Sequence, residues 1–198
     1  MSFHAQEFWT NCYSSIPPDS ERGTSSTQRT REIFNDLNNF FVRHGITSMF
    51  DAGCNDALWI RNLGLSVSYQ GGDISATALD KARGTGLDVV THNIVYDPIP
   101  ACDLLWIRDV MIHLSNADRK RVLANWISSG IPWLMMTQID GVTNQDIEYS
   151  MDRFQTTETN WYADPWRFPP GRDCVYEMGS RKMELWHRDQ ILRLDCLK

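Results

Sequence analysis

Residues 49–59 read MFDAGCNDALW. Apolar Met49 and Phe50 run into Asp51, a turn follows on Gly53, Cys54 and Asn55, and an apolar pattern with helical spacing begins after it. Strand, tight turn and helix in that order is the unit that opens nucleotide-binding α/β domains. A dinucleotide fingerprint aligned on Gly53 would put Asn55 at its second glycine and Leu58 at its third. The second of these has to be small so that the backbone can approach a pyrophosphate, and the alignment is poor. A nucleoside ligand without phosphates lifts the requirement, and asparagine accepts left-handed backbone angles better than most residues.

Outward from this turn the sequence alternates. Before it, Ile33, Phe34, Leu37, Phe40 and Phe41 repeat with helical spacing from about Thr30, and Gly45 stops the helix. TSMFDAG predicts a strand, residues 56–64 a helix, SVSYQGGD a strand, and Ser75 to Gly84 a second helix. LDVVTHNI reads as a third strand and CDLLWIRD as a fourth, apolar enough to be buried on both faces. Ser115 with Asp118 resembles a capping box that opens a helix ending at Gly130, and PWLMMTQ is a fifth strand. Strands and helices at this spacing predict a doubly wound, mostly parallel α/β sheet in a single domain over 1–198. Within it, 1–28 reads as an N-terminal arm, 29–138 as the cofactor-binding core, 139–185 as an irregular lid, and 186–198 as the terminal helical segment, with RKMELWHRDQILRL resuming order as a strand followed by a short helix from about Arg188.

Composition narrows the partners. The chain has 198 residues, 22% of them charged and 42% hydrophobic, which suits one globular domain and excludes collagen-like, coiled-coil and disordered classes. The net charge is −6, and residues 46–115 carry eight Asp against four Lys or Arg, so the chain offers no general attraction to phosphate backbones. Five cysteines without a C-x-x-C pair suggest neither a disulfide framework nor a zinc site, and no metal is expected. No run approaches about 18 apolar residues and no leader is evident, so a cytoplasmic protein away from membranes is expected.

In an open parallel sheet, ligands bind beyond the carboxyl ends of the strands. Asp73 lies about twenty residues past the first turn, where a ribose-binding carboxylate falls after the second strand. A carboxylate can accept from both ribose hydroxyls. The competing reading is an acid that merely closes a turn after Gly71 and Gly72. S-adenosylmethionine is a phosphate-free nucleoside that meets both observations.

DAGCND, YQGGDIS, THNI and DLLWIRDVMIHL, in this order, resemble the successive motifs of class I S-adenosylmethionine-dependent methyltransferases over roughly residues 46–138. PWRFPP followed by KMELW resembles the C-terminal extension of some members. The resemblance implies that Asp51 and Gly53 shape the pocket for the methionine part, that Asp73 holds the ribose, that Ile74 packs on adenine, and that Asn93 and Ile94 meet the adenine edge. Asn55 belongs to the same cofactor turn but departs from the usual glycine, and Asn93 departs from the usual acid. S-adenosylhomocysteine is the implied product.

Methyl transfer mainly requires an acceptor held close and in line. Where the acceptor must also lose a proton, Asp109 and His113 are the catalytic candidates, with Arg108 placed to orient an anionic group. A turn-capping Asp109 and a half-buried structural His113 are the competing readings. Trp9 and Tyr13 in the arm and Trp161 and Trp166 in the late segment are candidate substrate contacts, as aromatics that could stack on an acceptor or face a cation, with core packing as the alternative. The expected function is methyl transfer to a small or medium-sized acceptor. One rival is a nucleotide or nucleic-acid base modifier. A second is a non-catalytic cofactor-binding or partner subunit, motivated by Asn55, and a dehydrogenase comes third. Oligomeric state is not legible in the sequence.

Overall fold

The structure, a computed structural model, describes residues 33–60, 63–148 and 156–194. Trp9, Tyr13, the arm as a whole and the segment 149–155 lie outside the described residues.

Seven strands form one sheet in the order β3-β2-β1-β4-β5-β7-β6. They are β1 (Ser48–Ala52), β2 (Ser68–Asp73), β3 (Val89–Thr91), β4 (Leu104–Ile107), β5 (Trp133–Ile139), β6 (Asp173–Met178) and β7 (Arg181–His187). The first five pair in parallel, and β7 inserts antiparallel between β5 and β6. Strand order reverses between β1 and β4, and the loops after both strands open at that switch point.

Helices cover both faces. α1 (Leu37–His44) turns Leu37, Phe40 and Phe41 inward and ends at Gly45, whose left-handed N–H reaches back to Phe41 and Val42. α2 (Ala76–Arg83) starts from Ser75, whose hydroxyl accepts from the Ala78 amide. α3 (Asn116–Ser129) starts from Ser115, which accepts from the Asp118 amide, and ends at left-handed Gly130. β4 shows why its run is apolar throughout. Leu104 and Trp106 enter the core layer beneath α1 and α2, whereas Leu105 and Ile107 enter the one beneath α3.

Three expected boundaries change. The helix expected over 56–64 is replaced by successive turns through Ile60, with positive φ at Asn55 and Ala57. Here the Asp56 amide donates to Asn55 Oδ1 at 2.6 Å and the Leu58 amide to Asp56 Oδ1 at 3.1 Å. Side chains thus take amides that a helix would have used, a competition Asn and Asp often win.

The late segment, expected to be irregular over 139–185, holds β6 and most of β7. β6 is an edge strand whose polar residues make ion pairs, so it lacks the apolar alternation that reveals a strand. The terminal helix starts at Arg188 as expected but ends at Ile191, as α4 (Arg188–Ile191), with β7 paired to β5 as far as His187 and that residue capping the helix. Residues 195–198 lie outside the described residues. No helix among the described residues is long and apolar enough to cross a membrane.

Candidate active site

The loops beyond β1, β2, β3 and β4 enclose a crevice of about 330 Å³. Asp51, Gly53, Asn55, Asp73, Ile74, Asn93 and Ile94 all line it, and so do Arg108, Asp109 and His113. The structure thus brings together, at the sheet's carboxyl end, every candidate drawn from those four strand ends.

Asp73 ties two of the loops to each other. Its Oδ2 accepts from the Asn55 amide at 2.9 Å and its Oδ1 from the Ser75 amide at 2.8 Å. The carboxylate lines the crevice and keeps accepting capacity there for a hydroxyl. Burial pushes the Asp73 carboxyl above the usual carboxylate range, against the pull of these amides. The left-handed Asn55, with φ of 56°, points its backbone N–H at Asp73, while its side-chain Oδ1, which a glycine would lack, takes the Asp56 amide.

Gly53 is required for two reasons. Its φ is +78°, and a Cβ there would stand 2.2 Å from Val110 Cγ2. The glycine therefore lets the loop after β4 close against the loop after β1.

On the other side of the turn, Asp51 is 2% exposed and accepts at Oδ2 from Trp59 Nε1 at 2.9 Å and from the Tyr69 hydroxyl at 3.0 Å. Burial raises its carboxyl to about 7, with the two hydrogen bonds opposing the shift. Trp59 stacks on Trp106 with centroids 5.2 Å apart, and this fixes the indole that reaches Asp51. Neither Trp59 nor Tyr69 was singled out from the sequence. An Asp-to-Trp spacing of eight on a turn carries no signal until the turn's course is known.

At the adenine edge, Asn93 Oδ1 accepts from the Val95 amide at 3.1 Å, so its side chain already closes the local turn and keeps one lone pair and its Nδ2 donors. Asn125 of α3 donates to the Ile94 and Val95 carbonyls at 3.2 and 3.0 Å and holds that loop from behind. His92, also lining the crevice, meets the Pro98 carbonyl at 3.2 Å, and burial lowers its pKa.

The charges after β4 are already engaged. Arg108 Nε donates to Glu177 Oε1 at 2.7 Å, and Arg181 Nε donates to Glu177 Oε2 at 2.7 Å. Arg181 also pairs with Asp109, which accepts from the Thr137 hydroxyl at 3.1 Å. Asp109 sits at φ of 61°, a left-handed position fixed by its amide bond to Thr137 Oγ1 at 3.0 Å. Glu177 and Arg181 come from the β6–β7 hairpin, far along the chain, and nothing in the sequence foretold their part. His113 ends a short 3₁₀ turn, Met111–His113, that Arg119 braces by donating to the Met111 carbonyl at 2.8 Å.

Trp161 and Trp166 do not reach the crevice, a correction to their expected substrate contact. Both are fully buried against Phe168 and Trp186 beneath α3. Trp161 also donates to the Thr137 carbonyl at 2.9 Å, so these aromatics fasten the late segment onto β5 and β7. Among the described residues, no three His, Cys, Asp or Glu side chains gather as a metal site.

Strand order, antiparallel β7 and a crevice walled by the first four strand ends decide the architecture. The chain has the class I methyltransferase fold. Solved structures agree with it. A magnesium protoporphyrin IX methyltransferase from Synechocystis PCC 6803, solved with S-adenosylmethionine, superposes with a TM-score of 0.59 at 12% identity over 91% of this chain and 90% of that one. A mitomycin 7-O-methyltransferase gives 0.64 at 14% over 91% of this chain and 60% of its own. An N,N-8-amino-8-demethyl-D-riboflavin dimethyltransferase from Streptomyces davawensis gives 0.55 at 14% over 78% and 53%. No protein-family model matches the sequence, and neither does any curated protein.

Proposed function

We propose that the chain is an S-adenosylmethionine-dependent methyltransferase acting on a small-molecule acceptor. The observation that carries this reading is Asp73, a buried carboxylate that joins the loops after β1 and β2 and lines the crevice where a sugar hydroxyl could reach it. The chemistry of the crevice suits the cofactor along its length. Asp73 would hold the ribose, Ile74 and Ile94 would flank the adenine, Asn93 would meet its edge, and Asp51 beside Gly53 would face the amino-acid end. When bound, the cofactor supplies an electrophilic methyl group on a sulfonium.

The chain's own part in the reaction is to hold and to shield. Asp109 is already engaged by Arg181 and by the Thr137 hydroxyl, which hold its carboxyl group against the sheet. His113 is then the better candidate to take a proton from an acceptor that must lose one. Arg108, bound to Glu177, serves the wall of the crevice more readily than a free anion. Methyltransferases of this fold that act on a porphyrin, a mitomycin and a flavin derivative add support for a small acceptor.

The pairing of Asp109 with Arg181 and of Arg108 with Glu177 favours one second reading, a subunit that binds the cofactor without turnover. Calorimetry with S-adenosylhomocysteine, followed by mass-spectrometric product detection with S-adenosylmethionine and pooled small acceptors, tests both. Binding with methylated product supports the enzyme. Binding without product supports the subunit, and protection by NAD but not by S-adenosylhomocysteine overturns the cofactor assignment.

A further inference from the structure

The Asp51 carboxylate is held asymmetrically. Both donors, Trp59 Nε1 from the turn and the Tyr69 hydroxyl from β2, take Oδ2. Neither donor is on Oδ1, and Asp51 lines the crevice. Tyr69 reaches its partner because Gly71, the residue paired with Asp51 across the β1–β2 ladder, has no side chain. A Cβ at Gly71 would stand 2.8 Å from the Tyr69 hydroxyl.

We infer that Tyr69 and Trp59 are positioning residues that hold Oδ2 of Asp51 so that Oδ1 meets the cofactor's ammonium, and that Asp51 gives a proton to solvent as the cofactor enters. The inference rests on the cofactor reading above. The groups facing Asp51 among the described residues support it from each packed element. Arg108 at the end of β4 draws the carboxyl down and Asp73 at the end of β2 pushes it up, while Tyr69 and Cys54 are themselves held protonated by burial. Burial dominates, and it leaves the carboxyl at about 7. An arriving cation favours the carboxylate, so the proton departs to bulk buffer and the ion pair forms in its place.

The test is calorimetric titration of the full chain with S-adenosylhomocysteine, from about pH 5.5 to about pH 8.5, in buffers of different ionisation enthalpy. Affinity is expected to rise about tenfold per pH unit below the midpoint and to level above it, with more than about half a proton released near pH 6.5. Tyr69→Phe should move the midpoint upward by about one pH unit, since a donor to the charged form is gone. Trp59→Phe, which removes the other donor, should move it in the same direction and serves if the first variant does not fold. Asp51→Asn should bind without this pH dependence or proton release. A flat wild-type profile, or Tyr69→Phe and Trp59→Phe profiles that superimpose on it, overturns the inference while the cofactor reading stands. Absence of wild-type binding at every pH overturns that reading itself.

Discussion

The Tyr69 hydroxyl lies 3.0 Å from Asp51 Oδ2, across the place where Gly71 has no side chain. Two neighbouring strands thereby share one buried polar contact, which ties the methionine end of the crevice to the sheet beneath it. The geometry leaves little room for change.

Gly71→Ala would bring a methyl group to 2.8 Å from both the Tyr69 hydroxyl and Cys54 Sγ. The expected cost is about 1–3 kcal/mol of stability, as for other overpacked sites. Urea denaturation should show it, together with weaker binding of S-adenosylhomocysteine. Stability equal to wild type would mean that Tyr69 moves aside freely.

Asp73→Ala should weaken S-adenosylhomocysteine at least about tenfold, because it removes a charged acceptor and releases the Asn55 and Ser75 amides. His113→Gln should leave that affinity within about twofold and lower turnover once an acceptor that must lose a proton is found. Equal losses in both variants, measured by calorimetry, would argue against dividing the crevice into cofactor and acceptor sides.

Asp51 also predicts how stability changes with pH. Its carboxyl titrates at about 7 in the folded protein against 3.8 in the unfolded chain, so between these values the folded state holds more protons. Its contribution is full below the lower value and is lost as pH rises through the upper one. Asp51→Asn should therefore gain on wild type with rising pH, at up to about 1.4 kcal/mol per unit across that window. Denaturation midpoints at several pH values decide the matter, and a constant difference would contradict it.

Glu177 bridges Arg108 and Arg181 with a side chain only 1% exposed. Glu177→Gln should cost about 3 kcal/mol or more, because it leaves buried guanidinium charge with less compensation. Burial also protects the pairs from screening, so the loss should persist in high salt. A loss that vanished with added salt would place these charges in solvent.

Trp161→Ala should destabilise by about 3–5 kcal/mol through the cavity and the lost bond to the Thr137 carbonyl. In the fraction that folds, S-adenosylhomocysteine affinity should be unchanged. A selective loss of affinity would return Trp161 to the crevice.

What the sequence disclosed follows from what is local. Ser75, Ser115, Gly45 and Gly130 mark helix ends through bonds to residues a few positions away, and the apolar run of β4 reports burial on both faces. Asp73 stands out because a fixed distance separates it from the first turn. Residues whose role depends on pairing across the sheet stay silent. Tyr69 matters through Gly71 opposite Asp51, and Glu177 matters through Arg108, 69 positions earlier. Trp161 and Trp166 misled for the same reason, since an aromatic residue in a polar segment looks alike whether it faces a ligand or a core. The turns after Gly53 are invisible to apolar periodicity, because Asn55 and Asp56 bind neighbouring backbone amides.

The β6–β7 hairpin also has a bearing on how the chain comes into being. Arg108 and Asp109 leave the ribosome long before Glu177 and Arg181, the side chains that neutralise them. A nascent chain paused after β5 lacks the Glu177 and Arg181 partners of these two charges. Completion of the last strands then locks the fold, so acquisition of the native state is expected to be late and abrupt during synthesis.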